Sequence, residues 1–233
     1  MSPRYAVYFT PPQASPWWNF GAHWLGRDES HNLPLQHPAL ADIAESHLAR
    51  MTQVPRRYGF HATLKAPFHL APGIDEAALK SRVATLASTL QPLLLGRLKT
   101  VTLGNFVALV PAADVDGLQD LAAACVTVLD DLRAPLAAAD LARRDTAVLD
   151  ERGMELLTRF GYPYVLERFR LHFTLTGPLK QNEAALVTRA VAHRVEQLNA
   201  HTPLTLDRLC LFKEADTGAP FVRIADFTLG TCT

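Results

Sequence analysis

The chain has 233 residues, 48% hydrophobic and 20% charged, the balance of an ordinary globular protein with room for one large domain or two lobes sharing a core. Lys plus Arg and Asp plus Glu each number 23, so the formal charge is zero, which excludes the basic footprint of a protein that holds long nucleic acid with its whole surface. No apolar run approaches the ~20 residues of a membrane span. The start, Met1-Ser2-Pro3-Arg4-Tyr5, has no apolar leader core, and Cys125, Cys210 and Cys232 are too few and scattered for a disulfide framework or a zinc site. A cytoplasmic protein with no metal or other cofactor is expected.

Residues 4–9 read as a strand, stopped by Pro11-Pro12. Residues 13–37 are expected to be irregular, with Trp17, Trp18 and Trp24 among turn residues. A helix is expected over 38–48, with Pro38 in its first turn. Residues 61–69 read as a strand ending at Pro72-Gly73. A helix is expected over 75–90, where Leu79, Val83, Leu86 and Leu90 recur at helical spacing. Strands over 94–103 and 106–110 meet at Gly104-Asn105, a hairpin signal. Residues 114–160 are Ala- and Leu-rich and read as helical, with Arg143-Arg144-Asp145 inside and a helix through Met154-Glu155-Leu156-Leu157. A strand over 171–177, a helix over 183–198, and strands over 204–212 and 221–227 joined at Asp216-Thr217-Gly218 complete the chain.

The order strand–helix–strand–strand thus occurs twice, in units of about 57–111 and 168–228. It predicts an α+β protein, one domain over 1–233 made of two pseudo-symmetric lobes. Mostly antiparallel sheets would line a central cleft, with helices outside.

Each unit opens on the same segment. Arg57-Tyr58-Gly59-Phe60-His61-Ala62-Thr63-Leu64-Lys65-Ala66-Pro67 matches Arg168-Phe169-Arg170-Leu171-His172-Phe173-Thr174-Leu175-Thr176-Gly177-Pro178 at Arg, His, Thr, Leu and Pro. In a strand, residues i and i+2 share a face. His61, Thr63 and Lys65 therefore face one way, as do His172, Thr174 and Thr176, while the apolar residues between them face the core. A single His-x-Thr in a strand is commonly structural. Two copies on the same parity, with matching elements downstream, point to chemistry. Imidazole titrates near 6.5, so a facing pair suits acid–base catalysis, one His taking a proton from the nucleophile and the other giving one to the leaving group. A bell-shaped pH dependence with an optimum between about 5.5 and 8 is expected, with the two rings on the order of 5–8 Å apart across a phosphate. The threonine hydroxyls would hold non-bridging phosphate oxygens. Threonine is a poor divalent-metal ligand and neither motif holds a carboxylate or Cys, so metal-assisted hydrolysis is disfavoured. No Gly-rich phosphate loop and no Gly-x-Ser-x-Gly elbow occurs.

The pair His61-Ala62-Thr63-Leu64 and His172-Phe173-Thr174-Leu175 resembles the signature of the 2H phosphoesterase superfamily, which includes LigT-like RNA 2′,3′-cyclic phosphodiesterases and cyclic nucleotide phosphodiesterases. Arg4-Tyr5-Ala6-Val7-Tyr8-Phe9, Trp24-Leu25-Gly26-Arg27-Asp28, Arg57-Tyr58-Gly59-Phe60-His61 and Phe169-Arg170-Leu171-His172-Phe173-Thr174 further resemble its DUF1045-like branch, bacterial proteins encoded with phosphonate-degradation genes. The resemblance covers essentially the whole chain. It implies a bilobal duplicated fold and metal-independent opening of cyclic phosphodiesters, with His61, Thr63, His172 and Thr174 catalytic. It also implies His61 as the acid, His172 as the base, and a ribose cyclic phosphate from phosphonate degradation as substrate.

Five more residues are candidates for substrate binding. Lys65 shares the catalytic parity and is the foremost extra phosphate contact. Tyr5 and Tyr8 lie on opposite strand faces, so at most one faces the cleft. Arg57 and Arg168 precede the histidines at an even offset and reach the same face if the strands extend that far back. Arg27-Asp28 reads as a turn ion pair or a substrate contact, and His69 and His193 as incidental. The expected partner is a small phosphorylated sugar or nucleotide, not a membrane or a long nucleic acid. Two other readings stay open: an RNA or nucleotide 2′,3′-cyclic phosphodiesterase, which calls for a basic rim, and a non-catalytic phosphate-ligand binding protein on the same fold.

Overall fold

Both repeated segments run into strands, and the two strands become neighbours. The computed structural model describes residues 2–136, 141, 146 and 149–230; Arg143-Arg144-Asp145 and Cys232 lie outside the described residues. In chain order the elements are β1 (Arg4–Phe9), α1 (Pro16–Leu25), the ribbon β2 (Arg27–Asp28) and β3 (Leu33–Pro34), α2 (Glu45–Met51), α3 (Gln53–Arg56), β4 (Ala62–His69), α4 (Glu76–Thr89), β5 (Leu93–Gly96), β6 (Leu98–Leu103), β7 (Phe106–Pro111), α5 (Leu118–Thr127), α6 (Glu151–Phe160), β8 (Phe173–Thr174), α7 (Gln181–His201), β9 (Leu204–Leu206), β10 (Arg208–Glu214) and β11 (Val222–Thr228). This is the expected α+β class, and every strand pairing is antiparallel.

The two repeat units contribute their strands to one large sheet and not to two. Seven strands run in the order β11-β10-β1-β4-β8-β7-β6, and the motif strands β4 and β8 meet at its centre through the pair Ala62↔Phe173. The units interlock there. The hairpin β6–β7 of the first unit extends β8 of the second, and the hairpin β10–β11 of the second lies on the β4 side, joined to it by β1. The equivalent short strands β5 and β9 also pair with each other. Helices α4, α5 and α7 pack against strands of the large sheet, over a core that includes Val7, Phe9, Ala62, Leu64, Leu109 and Phe173. Alternate residues of the same strands, Ala6, Tyr8, Cys210 and Phe212, form a separate cluster with Phe221, as the two-residue period of a strand requires.

The structure departs locally from the sequence reading at four places. Residues 13–37 hold α1, which starts at Ser15, whose side chain accepts from Trp18 N, has Pro16 in its first turn, and stops at Gly26 in the left-handed region. Its Trp24 indole N–H donates to Leu175 O at 2.9 Å, tying the helix to the second motif. The helix expected from residue 38 begins at Glu45; ahead of it His37 is held on Trp24 O through Nδ1 and beside the Arg56 guanidinium at Nε2. The strand expected over 94–103 breaks at Gly96, φ +67°, into β5 and β6, where Asn199 of α7 bonds both the N–H and the C=O of Leu98. The second motif strand is short because Thr176 Oγ1 takes the Val107 N–H at 3.0 Å, so a side chain replaces the ladder acceptor.

Phe173 marks the join between the units. It is fully buried, stacks on Phe60 at 5.0 Å between centroids and meets Phe9 edge-on. Phe173→Ala is expected to cost about 3–5 kcal/mol through the cavity it leaves, read as a lowered urea midpoint with an unchanged slope.

Candidate active site

The first histidine is placed by the turn before its strand. After α3 the chain passes Arg57 and Tyr58 to Gly59, whose φ of +78° lies where a side chain is strained. A Cβ there would come within 2.6 Å of Cβ of Glu29. Glu29 is fully buried and accepts from the Trp18 indole at 2.7 Å, and burial raises its pKa. Arg27, also buried, donates to the carbonyls of Arg56, Arg57 and Phe221 at 2.7–3.1 Å. Arg27 therefore clamps the turn that carries the motif. Asp28 caps its own turn through the N–H groups of Ser30 and His31, so the pair has an architectural part in the fold.

The Gly59 carbonyl so fixed accepts a hydrogen bond from His61 Nδ1 at 2.9 Å. This sets the tautomer: Nδ1 carries the proton and Nε2 keeps its lone pair. Thr63 Oγ1 lies 3.3 Å from that Nε2. The ring stacks on Tyr8 at 4.0 Å and is flanked by Tyr58 and Phe212. His172 is held in the same way, Nδ1 donating to the carbonyl two residues upstream, Arg170 O, at 2.8 Å, with Phe106 beside the ring. Burial, with a smaller contribution from the nearby His172, lowers His61 to about 4 against the pull of the Gly59 carbonyl.

His61, Thr63 and Thr174 line a cavity of about 350 Å³ with Tyr8, Tyr58 and Phe106. His172 lines a larger one of about 760 Å³, with Asn105, Tyr162, Tyr164 and Arg170. The two meet along Thr63, Ala66, Phe106 and Tyr162. All four motif residues thus border adjoining space. Tyr58, Phe106 and Tyr162 were not expected there. Tyr58 had a signal, since it sits inside the repeat opposite Phe169; Phe106 and Tyr162 come from other parts of the chain.

Lys65 is not in this cleft. Val7 pairs with Lys65 but Tyr8 pairs with Thr63, so β4 carries one extra residue at Leu64. This bulge reverses the alternation, and Lys65 turns from the histidine face. Lys65 is buried, its ammonium on Val126 O at 2.9 Å and Asp130 at 3.2 Å. Tyr5 also leaves the cleft: its hydroxyl donates to Glu76 at 3.1 Å, under the Lys213 ammonium. Tyr8 is the cleft-facing member of that pair. Arg57 lies before the strand, not in it, and borders a different cavity, bound to Glu214 and Ala219 O. Arg168 sits in a 3-10 turn, paired with Asp150 at 2.6 Å on the wall of the larger cavity. His193 is exposed on α7. Among the described residues, no three His, Cys, Asp or Glu side chains gather as a metal site, and no helix is long and apolar enough to cross a membrane.

The chain belongs to the family described as protein of unknown function DUF1045, whose family model matches residues 63–222. It is 39% identical over 222 residues to the ribose 1,5-bisphosphate phosphokinase PhnN of Janthinobacterium sp. (strain Marseille), covering 94% of this chain and 49% of that protein. It is 41% identical over 219 residues to the ribose 1,5-bisphosphate phosphokinase PhnN of Laribacter hongkongensis (strain HLHK9), covering 94% and 50%. The chain spans about half the length of these relatives.

Two outcomes test the geometry. The folded protein holds His61 at about 4, against an ordinary value near 6.5. Between these values the unfolded chain binds a proton that the folded one lacks, so this contribution is intact above about pH 6.5 and is lost as pH falls toward 4. Melting temperatures from pH 7 to 4.5 are expected to fall more steeply in the wild type than in His61→Asn, which cannot titrate. Gly59→Ala is expected to cost at least about 1–2 kcal/mol for the left-handed backbone alone. It should also shift the His61 titration seen by NMR, since the carbonyl that holds the ring moves.

Proposed function

We propose that the protein opens a small cyclic phosphodiester by hydrolysis, with His61 and His172 as base and acid. The observation that carries this reading is the matched restraint of the two rings. Each donates Nδ1–H to the carbonyl two residues upstream, and each borders the adjoining cavities with a threonine of the motifs. The resemblance to 2H phosphoesterases points the same way.

His61, held near 4, is neutral at neutral pH and starts as the base, the reverse of the order the resemblance implied. Its Nε2 takes a proton from water as the water oxygen bonds to phosphorus. The P–O bond to one ring oxygen breaks, and that oxygen takes a proton from the His172 imidazolium. Thr63 and Thr174 hydroxyls donate to the non-bridging oxygens, where charge gathers. The product is a phosphomonoester on the same sugar, and a proton exchange with solvent resets the pair. A ribose cyclic phosphate of phosphonate degradation is the substrate favoured by the family resemblance and by relatives named for a ribose phosphate.

The relatives' kinase name concerns proteins twice this length. The chain's approach to a phosphate-binding loop is Gly21-Ala22-His23-Trp24-Leu25-Gly26-Arg27-Asp28, which lacks the Lys-Ser/Thr that grips nucleotide phosphates. It ends a helix where such a loop opens one, and its Arg27 is spent on three carbonyls. We assign the kinase activity of those relatives to the half this chain does not match. A second reading, a nucleoside 2′,3′-cyclic phosphate as substrate, is favoured by Phe106, Tyr162 and Tyr164 in the larger cavity, aromatic surfaces on which a base would stack.

Phosphorus NMR of ribose 1,2-cyclic, nucleoside 2′,3′-cyclic and ADP-ribose cyclic phosphates, with EDTA present, tests the reading. A phosphomonoester with no inorganic phosphate is expected. His61→Ala and His172→Ala should each lose ~10²–10⁴-fold in kcat, and Thr63→Ala and Thr174→Ala less, since a neutral donor is removed. Phosphoryl transfer from ATP, or turnover that EDTA abolishes and zinc restores, would show a different reaction class.

A further inference from the structure

A third cavity, of about 310 Å³, lies beside the His61 pocket and shares Ala66 and Pro67 with it. Arg4, Arg57, His69 and Arg133 line it, with Thr217 and Gly218, and among the described residues no carboxylate does. Arg4 and Arg57 both bind the buried carboxylate of Glu214. Gly218 N–H bonds the same carboxylate at 3.0 Å, so one acid organises the whole wall. Arg133 and Lys65 share Asp130 in the same way. Each acid therefore faces two cations, and the cavity carries a local positive surplus in a chain whose formal charge is zero. Anchored guanidinium groups are planar, preorganised donors that match phosphate oxygens.

We propose that this cavity binds a second phosphoryl group of the substrate, a phosphomonoester dianion remote from the ester being opened. The inference rests on the cyclic phosphodiesterase reading and names its substrate class, a cyclic phosphate on a sugar that bears a further phosphate. The doubly bound Glu214 holds Arg4 and Arg57 ready, so the guanidinium groups need no reorganisation when the dianion arrives.

The test compares adenosine 2′,3′-cyclic phosphate with its 5′-phosphorylated form, in wild type, Arg57→Gln and Arg57→Lys. The 5′-phosphate is expected to raise kcat/KM roughly ten-fold or more, mainly through KM, as charge-assisted hydrogen bonds to a dianion would. Arg57→Gln should remove most of that ratio, and Arg57→Lys, which keeps the charge, should retain part of it. Equal kcat/KM for the two esters, or a preference that survives Arg57→Gln, overturns the inference. Calorimetric titration with ribose 5-phosphate separates the cavity from the reaction. If no cyclic ester is opened, the proposed function fails; saturable binding weakened ten-fold by Arg57→Gln then still supports the anion site, and absence of binding overturns that too.

Discussion

Each motif histidine donates Nδ1–H to the carbonyl two residues before it, Gly59 for His61 and Arg170 for His172. Much of the surrounding structure serves that bond. To bring its carbonyl back onto the ring, the chain turns at Gly59 before entering β4, and Gly59 can press against Glu29 because it has no side chain. Arg27 holds the same turn to the residue just before β11 through the Phe221 carbonyl. One buried guanidinium satisfies three carbonyls that would otherwise be costly to enclose. The chemistry of His61 is thus a property of the turn as much as of the strand. Its low pKa follows from the same enclosure, since Tyr8, Tyr58 and Phe212 replace water around the ring.

The α+β class, the order of elements within the two repeat units and the shared face of His61 and Thr63 were legible in the sequence, because repetition and a two-residue period report them directly. The period failed two residues later. Lys65 obeys the alternation on paper, but the bulge at Leu64 turns it inward, and nothing in Thr-Leu-Lys marks an extra residue. Tyr8 and Tyr5 were separated correctly by parity alone. Arg57 and Arg168 could not be placed by parity for another reason: the repeat is longer than the strands, so an even offset before β4 and β8 carries no meaning in a turn. In α1, the signals were present as Ser15-Pro16 and Gly26 and were obscured by three tryptophans read as loop residues. Sheet order was the least accessible feature, for strand pairing across the units leaves no mark in either copy.

Charge shows the same contrast. A net charge of zero describes the whole chain and hides where the cations lie. Arg4, Arg57, Arg133 and Lys65 come from three separate stretches and are gathered by two acids, Glu214 and Asp130. Only the fold assembles them, so a basic rim cannot be read from composition.

The interlocked hairpins bear on how the molecule acquires its structure. Since β6–β7 completes the neighbourhood of β8, and β10 reaches β4 only through β1, neither unit carries a full sheet of its own. The β1–β10 ladder joins Arg4 to Glu214, nearly the two ends of the chain. Such pairings must wait for distant segments to meet, and the entropy of closing those loops precedes any reward. The two units therefore complete one shared sheet, not two independent ones. A chain emerging from the ribosome cannot complete its central sheet until β10 and β11 have been made.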